Sequence, residues 1–206
     1  MKIIIATNNA HKLTEIRAIL GEKFEVMSLK EVGFNHDIPE NGNTLEENSL
    51  CKAVAVDEYL REQSFPCPYI IIADDTGLMV DALNGEPGVR SARYAGGEGH
   101  DSEANMRLLL KNLDGKDCRK AHFTTVITMI EVNSQHISSK RQFTGEVHGT
   151  ILTEKHGDEG FGYDPIFMPD GYDKSFAELG NEVKNQISHR ANAVKALAEY
   201  LLKKYK

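Results

Sequence analysis

Four apolar positions run together near the start of the chain, Ile3 to Ala6, and most are β-branched. An unbroken apolar run of that length predicts a strand buried on both faces. A polar loop follows, Thr7-Asn8-Asn9-Ala10-His11. From Lys12 to Leu20 the period changes, with Leu13, Ile16, Ile19 and Leu20 on one helical face and Gly21 ending the helix. Phe24 to Leu29 predicts a second strand. Thr44, with Glu47 three residues on, resembles a capping box and starts a helix that runs to about Gln63. Tyr69 to Ala73 is a third buried strand, ending at the acidic pair Asp74-Asp75. Asn84-Gly85 marks a turn and Gly96-Gly97-Glu98-Gly99 a loop, after which Asp101 or Ser102 caps a helix to about Leu113.

The pattern then shifts. Phe123 to Val132, Ile137 to Phe143 and Glu146 to Leu152 are rich in Thr, Val and Ile, with turn residues between them, and predict an antiparallel meander. Arg190 to Tyr205 closes the chain as an amphipathic helix, with Val194, Leu197, Ala198 and Leu201 facing inward. Alternating elements followed by a meander predict an α/β fold: a mixed sheet flanked by helices, with an active-site cleft between two halves.

Composition narrows the class. The 206 residues are 40% hydrophobic and 27% charged, enough for one domain or two closely packed lobes with a sizeable core. No apolar run approaches the roughly 20 residues that span a bilayer, and the start is too soon polar for a secretory signal. Cys51, Cys67 and Cys118 lack metal-ligand spacing and read as buried or incidental thiols of a cytoplasmic protein. A net charge of −7 with no basic face argues against nucleic-acid binding. An acidic chain can still hold a small polyphosphate if a few lysines and backbone amides converge and a metal ion offsets the carboxylates.

Four segments carry candidate chemistry. Thr7 to Lys12 joins a strand to a helix N-terminus, where free backbone N–H groups and the helix dipole favour phosphate. The glycine spacing of a Walker A loop is absent, and a polar loop that merely caps a helix fits equally well. Of the adjacent Asp74 and Asp75, only one can face a given site. A carboxylate at the carboxyl end of a strand can hold Mg²⁺ beside substrate phosphates. Glu40 could supply a second carboxylate, and a solvated acidic turn is the plain alternative. In Gly160-Phe161-Gly162-Tyr163-Asp164-Pro165, two aromatics spaced by glycine could stack on a flat base or could turn into the core. Lys184 and Ser188-His189-Arg190 could donate to a purine carbonyl or to phosphate, or Ser188 could simply cap the last helix. The remaining histidines are scattered and suggest no metal cluster.

In this order and spacing the segments resemble the inosine triphosphate pyrophosphatase family, the dITP/XTP pyrophosphatases. The likeness covers essentially the whole chain. It runs through Ala6-Thr7-Asn8-Asn9 with Lys12, Thr44 to Asn48, Ala73 to Leu78, Pro87 to Tyr94, Gly160 to Pro165, and Ser188-His189-Arg190. The resemblance implies that Thr7, Asn8, Asn9, Ala10, His11 and Lys12 bind the triphosphate with help from Lys52. It implies that Glu40 and Asp75 hold Mg²⁺, with Asp75 also taking the proton of the attacking water. Thr76, Phe161, Gly162, Tyr163, Asp164, Lys184, His189 and Arg190 would contact substrate. It further implies an elongated two-lobed fold and a homodimer. Arg90 stands where an aromatic residue is common in the family, and Val183 where an acidic residue is usual.

The reaction implied is hydrolysis of deaminated purine nucleoside triphosphates (ITP, dITP, XTP) to the monophosphate and pyrophosphate. Two other readings compete: a related pyrophosphatase of pyrimidine nucleotides, and a nucleotide sensor that binds without cutting. Glu40, Asp75 and Lys12 argue against the sensor, which needs no activated water.

Overall fold

The strands in chain order are β1 (Lys2–Ile5), β2 (Glu25–Ser28), β3 (Tyr69–Val80), β4 (Pro87–Gly88), β5 (Lys120–Val132), β6 (Ser138–Ile151) and β7 (Phe167–Pro169). Among the described residues, the helices α1 (Leu45–Glu62), α2 (Ser102–Asn112), α3 (Phe176–Ile187) and α4 (His189–Lys204) follow or separate them. The structure is a computed structural model that describes residues 1–7, 13, 14, 16, 17, 20, 24–97 and 101–205. Within those residues the sheet order is β2-β1-β3-β5-β6-β7, with β4 paired to β3. β1 is parallel to β2 and β3, while β3–β4 and β6–β7 are antiparallel. The fold is α/β with a mixed sheet and flanking helices, as the sequence pattern predicts.

The chain divides into two compact units. The first comprises Met1–Asp75, Val126–Thr144 and Ala193–Lys206. In it, β1 and β3 lie in register, Ile3 opposite Ile70 and Ile5 opposite Ile72. Successive side chains on a strand point to opposite faces, and both faces are covered. Ile3, Ile5, Ile70 and Ile72 pack with Ala193, Val194, Leu197 and Leu201 of α4. Ile4, Ala6, Tyr69, Ile71 and Ala73 pack with Ala53, Val56 and Leu60 of α1. That double cover is why these strands are apolar at every position. Each fully buried isoleucine contributes roughly 1.5–3 kcal/mol of transfer free energy. At the start of α1, Thr44 Oγ1 accepts from the Glu47 amide at 3.1 Å. The Glu47 carboxylate reaches back one residue further than a capping box requires, to the Asn43 amide at 2.6 Å.

The second unit comprises Thr76–Thr125 and Gly145–Asn192. Its core gathers Leu78 and Val80 of β3, Met106 and Leu109 of α2, Phe123 of β5, Ile151 of β6, Phe167 of β7 and Phe176 of α3. Asp101 caps α2 by accepting from the Ala104 amide at 2.9 Å. Ser175 and Glu178 form a reciprocal capping box on α3. Gly180, at φ +73°, interrupts α3 with a backbone geometry that a side chain would strain.

Two sequence expectations need correction. β3 does not end at Asp74-Asp75 but continues to Val80. Polar residues stay in the strand because they have partners: Lys52 and Asn48 for Asp75, and the Thr125 hydroxyl, 2.7 Å away, for Thr76. The expected break at Thr144-Gly145 is absent, so β6 is one long strand. Of the two readings of the cysteines, burial fails and incidental thiols remain: Cys51 and Cys118 are exposed and Cys67 is partly so. Of the expected first helix, Leu13, Thr14, Ile16, Arg17 and Leu20 are helical. Asn8 to Lys12, Gly21 and the tip of the 96–99 loop lie outside the described residues. Among the described residues no helix is long and apolar enough to cross a membrane.

Candidate active site

The odd face of β3 packs Tyr69, Ile71 and Ala73 toward α1 and next presents a carboxylate. Asp75 continues that alternation, and α1 meets it with polar groups instead of apolar ones. Asn48 Nδ2 donates to Asp75 Oδ2 at 3.1 Å, and Lys52 Nζ donates to Asp75 Oδ1 at 3.0 Å. Asn48 and Lys52 are four residues apart, hence neighbours on one helix face. Lys52 Nζ also lies 2.7 Å from Glu40 Oε1 and 3.0 Å from the Asp74 carbonyl. Asn48 uses its other end to hold the loop that bears Glu40, its Oδ1 accepting from the Gly42 amide at 2.8 Å. A Cβ on Gly42 would come within 2.7 Å of that oxygen, so the loop can close on α1 only with glycine there.

The groups are largely buried. Side-chain exposure is 12% for both Lys52 and Asp75, and 28% for Glu40. Burial pushes the Asp75 carboxyl above its usual range; Lys52 and Asn48 oppose the shift without cancelling it, and nearby Glu40 adds to it. At Lys52 the balance reverses: burial disfavours its charge, but Asp75 and Glu40 outweigh burial and raise the ammonium's pKa. Asp75 is therefore a stronger base than an ordinary aspartate, beside a firmly charged lysine.

Two carboxylates converging on one point that already attracts a cation form a hard-oxygen donor set. Among the described residues no group of three or more His, Cys, Asp or Glu is placed to hold a metal. Magnesium does not need one, because it takes one or two carboxylates and completes its shell with water and phosphate oxygens. Glu40 and Asp75 fit that ion.

Thr7 lies two residues beyond β1, its amide donating to Ile5 O at 2.9 Å, and the preceding Ala6 amide still pairs with Ile72 O of β3 at 2.7 Å. The rest of the expected phosphate loop, Asn8, Asn9, Ala10, His11 and Lys12, lies outside the described residues.

A second cluster is built within the other unit. Asp164 Oδ2 accepts from the Phe161 amide at 2.8 Å and from Lys184 Nζ at 2.5 Å. Asp164 and Lys184 are both almost wholly buried. Gly160 has φ +86°, and a Cβ there would come within 2.3 Å of the same oxygen. The Phe161 ring remains 48% exposed, with Lys184 Nζ 4.1 Å and the Arg190 guanidinium 5.5 Å from its centroid. Tyr163 takes the opposite course: its ring is in the core and its hydroxyl donates to Ser91 O at 2.8 Å. Only one of the two aromatics singled out from the sequence thus offers an exposed face. His189 stacks on Phe123 at 4.7 Å, and both His189 and Arg190 are buried at the start of α4.

The structure thus brings Glu40, Lys52 and Asp75 together in one unit, and Phe161, Asp164, Lys184 and Arg190 together in the other. Sequence reasoning assigns Asn48 no role, although its position four residues before Lys52 places both on one helix face.

A family model described as the Ham1 family matches residues 3–200. The chain belongs to the Ham1 family. Among curated Ham1-like relatives it is similar to a dITP/XTP pyrophosphatase of Porphyromonas gingivalis, 50% identical over 98% of this chain and 97% of that one. A Flavobacterium psychrophilum protein of the same name is 44% identical over 97% and 98% of the two chains. The solved Ham1 protein of Staphylococcus aureus superposes with a TM-score of 0.86 at 40% identity, covering 99% of this chain and all of the other. At the two positions that depart from the pattern implied by the sequence, Arg90 lies exposed and Val183 half-buried.

Proposed function

We propose that this Ham1-family chain is a nucleoside triphosphate pyrophosphatase that converts ITP, dITP and XTP to the monophosphate and pyrophosphate, clearing deaminated purines from the nucleotide pool. The convergence of Glu40 and Asp75 on Lys52, in a chain similar over nearly its full length to proteins named for that reaction, carries the reading.

Mg²⁺ held by Glu40 and Asp75 would neutralise phosphate charge and make water a better nucleophile. The chain's own groups do the rest. Thr7, the loop to Lys12, and Lys52 bind the triphosphate. Asp75 accepts the proton of water as its oxygen attacks the α-phosphorus and the bond to the pyrophosphate oxygen breaks. Positioning and charge stabilisation provide most of the acceleration, as is general for displacement at phosphorus.

The base falls to Phe161, with Thr76, Gly162, Tyr163, Asp164, Lys184, His189 and Arg190 shaping its surroundings. Arg190 is a donor only, so it suits the 6-oxo acceptor of inosine or xanthosine and opposes the 6-amino donor of adenosine. A site built for one hydrogen-bonding group can reject its absence by about 10⁴-fold or more. We further propose a homodimer, checked by light scattering of the eluted protein.

The test is pyrophosphate release from ITP, XTP, dITP, GTP, ATP and dUTP, with and without Mg²⁺. Release from the 6-oxo purines with metal is expected. Binding without release would favour a sensor, a dUTP preference a pyrimidine enzyme, and either result ends this reading.

A further inference from the structure

An ammonium has three N–H donors, and in Lys52 three acceptors take them: Glu40 Oε1 at 2.7 Å, Asp75 Oδ1 at 3.0 Å and the Asp74 carbonyl at 3.0 Å. No donor of that set is left over for a phosphate. The two carboxylates that Lys52 engages are also the two assigned to the divalent cation. An ammonium and a divalent ion cannot both stand at bonding distance from the same oxygens, because like charges that close repel strongly in a buried site.

Resting on the metal assignment above, we propose that Lys52 is an internal counter-ion that the divalent cation displaces, and that the displaced ammonium then becomes a ligand of the triphosphate. Without metal, Lys52 offsets part of the charge of the two carboxylates, Asp75 buried and Glu40 half-buried. Metal entering alone must break the two hydrogen bonds to carboxylates and leave the ammonium with only the Asp74 carbonyl. Metal entering with a nucleotide gives the ammonium new acceptors, the phosphate oxygens. Lysine suits this exchange because its charge rides on a flexible four-carbon stem, while Asn48 continues to hold Asp75 Oδ2. Metal and nucleotide are thereby coupled through one side chain, and coupling of this kind is reciprocal.

Two measurements on the full chain test the exchange. In the first, Mn²⁺ binding is titrated by the loss of its free paramagnetic signal, with and without the non-hydrolysable α,β-methylene analogue of ITP. In the natural protein the analogue should tighten Mn²⁺ binding by about tenfold or more, within the range usual for coupled sites. In Lys52→Met, Mn²⁺ alone should bind about tenfold tighter than to the natural protein, and the analogue should add little. The second measurement needs no variant: labelling of Lys52 by an amine-reactive reagent, read by peptide mass spectrometry. Labelling should be slow in chelator, faster in Mg²⁺ alone and slow again in Mg²⁺ with the analogue. Lysine labelling unmoved by Mg²⁺ while Mn²⁺ binds, or Lys52→Met binding Mn²⁺ no tighter than the natural chain, overturns the exchange and leaves the metal assignment standing. No Mn²⁺ binding under any condition removes the metal assignment itself, and the exchange with it.

Discussion

Asn48 and Lys52 stand one turn apart on α1, and each donates to a different oxygen of Asp75, at 3.1 and 3.0 Å. The carboxylate is thereby fixed in orientation as well as in charge. Asn48 keeps hold of Oδ2 when Lys52 turns to the triphosphate, so the carboxylate still accepts a proton along only a few directions, which is what a positioned base requires. Asp75→Asn keeps an oxygen for Lys52 and removes the basicity. Turnover should fall by about 10²- to 10⁴-fold while the thermal midpoint stays close to that of the natural protein. Pyrophosphate release from ITP measures the first and calorimetry the second; turnover near the natural level would remove Asp75 from its role.

The buried pair of Asp164 and Lys184 makes a different demand. Removing one member of a buried ion pair leaves the other charged and unmatched, at about 3–5 kcal/mol. Lys184→Met should therefore lower stability by that order in urea unfolding. Replacing both, with Asp164→Leu in the Lys184→Met background, should recover part of the loss, since the uncompensated charge is gone. If the double variant is less stable than the single one, the pair's hydrogen bonds matter more than its charges.

Glu131 supplies a pH dependence away from the site. Burial works against its charge, but hydrogen bonds from Lys204 and from the Tyr205 hydroxyl (2.6 Å) outweigh burial and hold the carboxyl below its usual 4.5. A carboxyl depressed in the folded state stabilises it fully above the unfolded pKa and loses that contribution as pH falls through the folded one. Glu131→Gln should thus lower the urea midpoint at neutral pH. The gap to the natural protein should close as pH falls through the folded-state pKa, below which both states are protonated. A gap that stays constant with pH would mean that packing, not charge, links Glu131 to the end of α4.

How far the sequence led depends on the kind of force involved. β1 and the first half of β3 were legible because burial on both faces leaves an unbroken apolar run, and α1 because Thr44 caps it. The far half of β3 was not, since Asp74, Asp75 and Thr76 read as a turn until their partners are known, and those partners lie 23 to 49 residues away. α3 was missed because Gly180 breaks its period. In the site, residue types were legible and orientations were not. Phe161 and Tyr163 look interchangeable in sequence, yet one is exposed and the other buried.

Gly42 tests whether the Glu40 loop must lie against α1. A Cβ there would meet Asn48 Oδ1 at 2.7 Å and Glu47 Cβ at 2.8 Å. Gly42→Ala should push the loop off the helix, breaking the Gly42–Asn48 hydrogen bond and moving Glu40 from Lys52. Turnover should fall and the Mg²⁺ concentration needed for half-maximal rate should rise, with little change in KM for ITP at saturating metal. An unchanged Mg²⁺ requirement would separate Glu40 from metal binding.

The two aromatics of the Gly160–Pro165 turn give the sharpest contrast. If the exposed Phe161 ring carries the base, Phe161→Ala removes a stacking contact worth about 1–3 kcal/mol. That contact is present before and during the chemical step, so its loss should raise KM for ITP by about 5- to 150-fold and leave kcat nearly unchanged. Tyr163→Phe should do the reverse. Its hydroxyl serves the core through Ser91 O, so the variant should lose about 1 kcal/mol of stability and keep its KM. Steady-state kinetics with urea unfolding on both variants decides the matter. A KM effect in Tyr163→Phe matched by none in Phe161→Ala would transfer the base from the exposed ring to the buried one.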